Sequence, residues 1–127
     1  MKTMTIEESD IVLQPRKVLV VEDEAVLRSQ LSDVLRDAGL IVFEAAGADS
    51  ALDILATDPD IALVFTDVQM PGSMDGLGLA RHVRSTFPKV RLIVTSGQAR
   101  PGEPRFIQKP YLYSRVLQTI IETLDDK

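Results

Sequence analysis

From Lys17 onward the chain alternates short β-branched apolar runs with longer stretches whose apolar residues recur every three or four positions, the pattern of parallel βα units. Val18 to Val21 predicts the first strand. Leu27, Leu31, Val34, Leu35 and Ala38 follow at helical spacing, and Gly39 stands where that helix should stop, because glycine accepts the left-handed turn that closes a helix. Leu40 to Phe43 predicts a second strand and Ser50 to Leu55 a short helix ended near Asp58-Pro59. Ile61 to Thr66 is a continuous apolar strand, as expected of a sheet covered on both faces. Beyond a loop at Pro71 and Gly72, residues Leu77, Leu79, Ala80, Val83 and Phe87 outline a third helix closed by Pro88, and Arg91 to Thr95 a fourth strand. The last helix is expected from Tyr113 to Leu124, with Val116, Leu117, Ile120, Ile121 and Leu124 as its core stripe. Residues 1–15 are polar apart from Ile11-Val12-Leu13, so they read as an N-terminal extension to one domain over 16–127.

The alternation falters once. Only twelve residues separate Ser96 from Lys109, and Arg105 to Gln108 has to supply the fifth strand. The eight that remain, Gly97 to Pro104, include two glycines and two prolines, whereas a helical crossover needs roughly ten to twelve residues and proline interrupts a helix. Fully extended, such a segment reaches roughly 26 to 29 Å, enough to return along a strand of about 17 Å. An irregular connection is therefore predicted where a fourth helix would otherwise sit.

Composition narrows the class without changing the fold. At 127 residues the chain has the size of one domain, large enough to bury a core without covalent staples. It has no cysteine, which removes disulfides and thiolate metal ligands and suits a cytoplasmic protein. No apolar run nears the roughly 20 residues of a membrane span, and Glu7 and Glu8 stand where a signal peptide would be apolar. A net charge of −5, with the fourteen basic residues dispersed, argues against a nucleic-acid surface, which needs clustered cations to neutralise phosphates. Neither a DNA-binding domain nor a membrane partner is expected.

Three apolar runs end at charges that do not belong in a core: Glu22-Asp23 after the first strand, Asp67 after the third and Lys109 after the fifth. Parallel sheets carry their chemistry just past the carboxyl ends of their strands, so these charges can converge in one crevice. Each has a plain structural reading by itself, since the acid pair can cap the following helix and Asp67 can be a turn residue. Together, three carboxylates would raise one another's pKa unless a cation neutralises them. Mg²⁺ takes hard oxygen ligands, so two carboxylates, a backbone carbonyl and a phosphate oxygen make a plausible shell. Lys109 can then hold another phosphate oxygen and the Ser96 hydroxyl a third. Such parts suit in-line phosphoryl transfer, with Asp67 as the nucleophile that forms an aspartyl phosphate.

Four segments in order, over about residues 16–124, resemble the receiver domain of the two-component response regulators. They are Val18-Leu19-Val20-Val21-Glu22-Asp23-Glu24, the stretch from Asp67 through Pro71 to Gly76, Val94-Thr95-Ser96-Gly97 and Lys109-Pro110. The resemblance implies a flavodoxin-like α/β fold, a doubly wound five-stranded parallel sheet of order 2-1-3-4-5. It implies phosphorylation of Asp67, Mg²⁺ held by Glu22, Asp23, Asp67 and the carbonyl of Gln69, and phosphoryl contacts from Ser96 and Lys109. It further implies switching at Ser96 and Phe106, tuning of dephosphorylation at Gln69 and Gln98, and a cis bond before Pro110. A histidine kinase or histidine phosphotransfer protein would donate the phosphoryl group, and the chain would catalyse only its own phosphorylation and dephosphorylation. Because the chain ends three residues after Leu124, it reads as a stand-alone receiver whose output passes to a downstream protein.

The sequence departs from that pattern in an extra residue, Ser73, in the acceptor loop, in a Phe106 without a hydroxyl, and in the shortened approach to Lys109. The last removes part of the surface through which many receivers signal. Two other functions stay open. A phosphorylation-independent adaptor would need none of the acids, Ser96 or Lys109. A small aspartyl-phosphate hydrolase would carry a general acid beside its nucleophile and a capping segment, and neither is visible. Outside the constellation, His82 reads as a surface or partly buried structural residue beside Arg81 and Arg84, Asp75 as a turn and helix cap, Met70 as packing beneath the loop, and one of Tyr111 and Tyr113 as core.

Overall fold

A computed structural model of the protein describes residues 15–98 and 105–126. Among these residues, five strands and four helices follow in the order β1 (Lys17–Val21), α1 (Ala25–Asp37), β2 (Ile41–Ala45), α2 (Ala48–Thr57), β3 (Ile61–Asp67), α3 (Gly76–Thr86), β4 (Arg91–Ser96), β5 (Phe106–Gln108) and α4 (Tyr113–Asp125). The strands form one sheet of order β2-β1-β3-β4-β5, parallel at every pairing. This is the doubly wound order expected from the sequence.

Each face of the sheet buries its own core. On one, Val18, Val20, Leu63, Phe65 and Ile93 pack beneath Leu31 and Leu35 of α1 and Val116 and Ile120 of α4. On the other, Leu19, Val21 and Val64 pack beneath Ala51 and Leu55 of α2 and Leu79 and Val83 of α3. Alternation explains the partition, since successive strand residues point to opposite faces. Ile61 obeys it only through an irregularity. Lys17 pairs with Ile61 but Val18 with Leu63, and this one-residue slip turns Ile61 onto the α2 and α3 side.

Local chemistry ends the helices where expected. Gly39 has φ +97°, its N–H donates to Arg36 O at 2.9 Å, and the Leu40 N–H reaches Leu35 O at 3.2 Å, the paired bonds of a Schellman stop. Asp75 caps α3, its Oδ1 accepting the Gly78 N–H at 2.9 Å. Some element boundaries and one buried stripe differ from the sequence expectations. β2 runs on through Glu44 to Ala45, because Arg28 and Arg36 pair with the Glu44 carboxylate and make a charge tolerable there. α2 starts at Ala48, not Ser50, behind a Gly47 with no side-chain cap, so the usual polar start signal is missing. β5 begins at Phe106, although Arg105 O already accepts the Val94 N–H. In α4, Ile121 is 41% exposed; the buried stripe is Val116, Ile120 and Thr123, and Ile121 lies on its flank.

Of the predicted irregular connection, residues 97 and 98 are described and 99–104 lie outside the described residues. So does the N-terminal extension, Pro15 excepted. No helix among the described residues is long and apolar enough to cross a membrane.

Candidate functional site

β1 and β3 are neighbours in the sheet, so the acids that follow them meet at its carboxyl edge. One carboxylate oxygen each from Glu22, Asp23 and Asp67 lie within 4.8 Å of one another. Glu22 and Asp67 are buried, at 2% and 5% exposure, and Asp23 is exposed. Lys109 arrives from the end of β5, and its Nζ donates to Asp67 Oδ2 at 2.7 Å and to Glu22 Oε1 at 3.3 Å. The four charges expected from strand ends thus share one crevice.

Backbone bonds hold these groups. Glu22 N–H continues the sheet to Ala45 O at 3.0 Å, while Glu22 Oε2 accepts the Glu24 N–H at 3.0 Å. Glu22 of the acid pair therefore satisfies the N–H of Glu24, the residue from which α1 starts, although Glu24 makes no side-chain cap of its own. Asp67 Oδ1 accepts the Gln69 N–H at 3.1 Å. Burial pushes the Glu22 carboxyl above its ordinary value, against the Glu24 N–H and the Lys109 charge. Burial also works to pull the Lys109 ammonium down, but its hydrogen bond to Asp67 and the charges of Asp67 and Glu22 outweigh that and hold it up. One ammonium facing three carboxylates leaves a net negative, all-oxygen crevice, the donor set preferred by hard cations.

Ser96, fully buried at the end of β4, brings its hydroxyl to the same edge, where Oγ accepts the Gln98 N–H at 3.1 Å. The Lys109 N–H donates to Ser96 O at 2.8 Å, so the hydroxyl and lysine segments are tied together, and the Lys109-Pro110 bond is cis. Gln69 and Gln98 are exposed at the rim. Phe106 lies away from the carboxylates, half-buried against Val68, Ala80 and Val94. Met70 is buried in the core beside α2 and α3, as the sequence suggested, and His82 is exposed on α3. Tyr111 is the core tyrosine, edge-on to Phe65 with ring centroids 6.0 Å apart, whereas Tyr113 donates to Gln30 Oε1 at 2.7 Å on the surface. A cavity of about 480 Å³ lined by Glu24, Leu27, Lys109, Tyr111 and Tyr113 opens beside the lysine.

Two contributors escaped the sequence reading. Gly76 brings the start of α3 against the end of β3 so closely that a Cβ there would lie 1.9 Å from Asp67 O. The Asp75-Gly76 pair signalled a turn but not this contact. Arg28 donates to Glu22 O at 2.7 Å, from a helix position that no spacing rule marks.

A family model described as the response regulator receiver domain matches residues 18–120. The chain belongs to that family. The receiver is 31% identical over 134 residues to the sensor kinase CckA of Brucella abortus, a match covering 98% of this chain and 14% of that protein. It is 34% identical over 104 residues to the response regulator protein FleR of Pseudomonas aeruginosa, covering 75% of this chain and 22% of that protein. The chain spans less than a quarter of either curated relative. Among solved structures, the receiver domain from the hybrid histidine kinase CckA aligns with TM-score 0.75 at 31% identity, over 86% of this chain and 99% of that one. A response regulator receiver protein from Pseudomonas putida aligns with TM-score 0.77 at 30% identity, over 85% and 97%.

Proposed function

We propose that this receiver is a phosphoacceptor switch in which Asp67 takes a phosphoryl group from a phosphohistidine on a histidine kinase or histidine phosphotransfer protein. The observation that carries the reading is Lys109 Nζ bridging Asp67 and Glu22 across a crevice whose three acids gather within 4.8 Å. An adaptor that worked by binding alone would gain nothing from burying two carboxylates there, at a desolvation cost.

The donor set fits Mg²⁺, with Glu22, Asp23, Asp67 and the Gln69 carbonyl as the groups that would hold it. Bound there, the ion supplies positive charge that neutralises the carboxylates and the incoming phosphoryl oxygens. An Asp67 carboxylate oxygen attacks phosphorus in line. The new O–P bond forms as the N–P bond to imidazole breaks, and the nitrogen keeps that electron pair. The Lys109 ammonium, already 2.7 Å from Asp67 Oδ2, stabilises the transferred charge, and Ser96 Oγ leaves the Gln98 N–H to donate to a phosphoryl oxygen. Phe106 then moves into the space that Ser96 vacates, biasing a two-state equilibrium read by a downstream protein. Gln69 and Gln98, at the exposed rim, govern the water that later cleaves the acyl phosphate, restoring the Asp67 carboxylate and releasing inorganic phosphate. Catalysis is confined to this self-modification.

The test is intact mass after incubation with Mg²⁺ and a small acyl phosphate. One phosphoryl group is expected on the wild type, and none without Mg²⁺ or on Asp67→Asn. An unmodified wild type would leave the adaptor reading, and repeated turnover of varied phosphate esters the hydrolase one.

A further inference from the structure

Whereas Lys109 meets the Glu22 carboxylate, Arg28 is tied to the acid pair through the Glu22 backbone. It lies on the first turn of α1, six residues beyond Glu22, with four-fifths of its side chain buried. Its Nη1 donates to the Glu22 carbonyl at 2.7 Å, and its Nε faces Glu44 Oε1 at 3.4 Å. Glu44 is held in turn by Arg36 at 3.0 Å through its other oxygen, and Arg36 Nη2 donates to Val42 O at 2.9 Å. The chain of contacts therefore runs from the β2 edge of the sheet to the peptide between Glu22 and Asp23. That peptide sets where both acids point. Its N-terminal side is already fastened by Glu22 N–H on Ala45 O, so Arg28 clamps the other side.

We propose that Arg28, oriented by Glu44, is a positioning residue that fixes the Glu22–Asp23 peptide so that both carboxylates face a divalent cation. The inference rests on the cation site proposed above. Groups that orient ligands from outside the coordination shell are typically worth 10–100-fold in metal affinity or activity. Arg28 acts one bond further away, through the backbone, so an effect near the lower end is expected.

Charge and position make opposite demands, which gives the proposal a sign. A guanidinium beside an acidic cluster repels an incoming cation, so if Arg28 acted through its charge, removing it would tighten metal binding. Glu44 offsets that charge, and positioning predicts that removal weakens binding.

The experiment titrates Mg²⁺ into the wild-type chain, Arg28→Met, Arg28→Lys and Glu44→Gln by calorimetry, with thermal unfolding of each variant in metal-free buffer. The rate of phosphorylation by a small acyl phosphate is then followed against Mg²⁺ concentration. Arg28→Met should bind Mg²⁺ about tenfold more weakly, with the half-saturating Mg²⁺ rising by the same factor and the rate at saturation within about twofold of wild type. Arg28→Lys can reach the carbonyl but not span to Glu44 as well, so it and Glu44→Gln should each weaken binding by roughly two- to fourfold. Unchanged or tighter binding in folded Arg28→Met overturns the proposal. If that variant does not fold, wild-type affinity in both Arg28→Lys and Glu44→Gln does so. A wild type that binds no Mg²⁺ removes the cation site itself, and this inference with it.

Discussion

The half of the site formed by Glu22, Asp67 and Lys109 and the half formed by Ser96 and Phe106 differ in how their side chains are held. Both Glu22 carboxylate oxygens have partners, as do both of Asp67, and the Glu22 peptide is bonded on either side. Ser96, by contrast, is held at Oγ by the N–H of Gln98, itself exposed to solvent, and Phe106 is half-buried on a strand of three residues. Under the proposed phosphoryl transfer, preorganisation suits the charged half, because a fixed charge needs no rearrangement when a phosphoryl group arrives. At Ser96 the hydroxyl has one 3.1 Å hydrogen bond to exchange, which suits a part proposed to move.

Gly76→Ala should break the rigid half most severely. The added Cβ meets the Asp67 carbonyl, backbone that no rotamer change can clear, so the loss should reach about 3 kcal/mol, the top of the usual overpacking range. Urea unfolding checks it, and near-wild-type stability would mean that β3 and α3 can separate freely. Lys109→Met comes next, leaving two buried carboxylates without their shared cation. Breaking a fully buried pair costs about 3–5 kcal/mol; with Lys109 24% exposed, about 1–2 kcal/mol is expected in the absence of divalent metal, again by urea unfolding. Ser96→Ala should cost under about 1 kcal/mol, because the freed amide can reach water, yet slow phosphorylation by roughly tenfold through one lost hydrogen bond. A stability loss matching that of Lys109→Met would erase the contrast between the halves.

The smallest effect belongs to the opposite edge of the sheet, away from the site. Lys17 Nζ and Asp58 Oδ2 pair there at 2.9 Å. The hydrogen bond to Lys17 holds the Asp58 carboxyl below its ordinary value, and the same bond raises the Lys17 ammonium. A depressed carboxylate stabilises the fold above its unfolded pKa and loses that contribution as pH falls through the folded one. A raised ammonium stabilises below its unfolded pKa and loses that as pH rises through the folded one. Asp58→Asn should therefore lower the melting temperature slightly across the neutral range and match wild type at both pH extremes. A difference that persists in acid would point to lost packing instead of lost charge.

How much of this was legible follows from the range of each signal. Strands, helices and the charges at strand ends were readable because alternation, helical spacing and stop residues are local, and the strand order follows once parallel βα units are recognised. Where a distant partner overrides a local rule, spacing along the chain no longer marks the boundary. Glu44 ends an apolar run in the sequence but continues β2 because Arg28 and Arg36 neutralise it, and α2 begins two residues early without a polar cap to announce it.

The amino-acid sequence by itself determined the sheet, its two buried faces and the residues that could form the crevice, since those depend on periodicity and on side-chain chemistry. Tertiary structure decided which charges meet and how firmly. Lys109 reaches Glu22 and Asp67 only through strand order, Gly76 touches Asp67 only where β3 and α3 converge, and Arg28 clamps the acid pair only because α1 folds back over β2. Hydrogen bonds and ion pairs fall off within a few ångströms, so they are set by distance in space, which spacing along the chain does not encode.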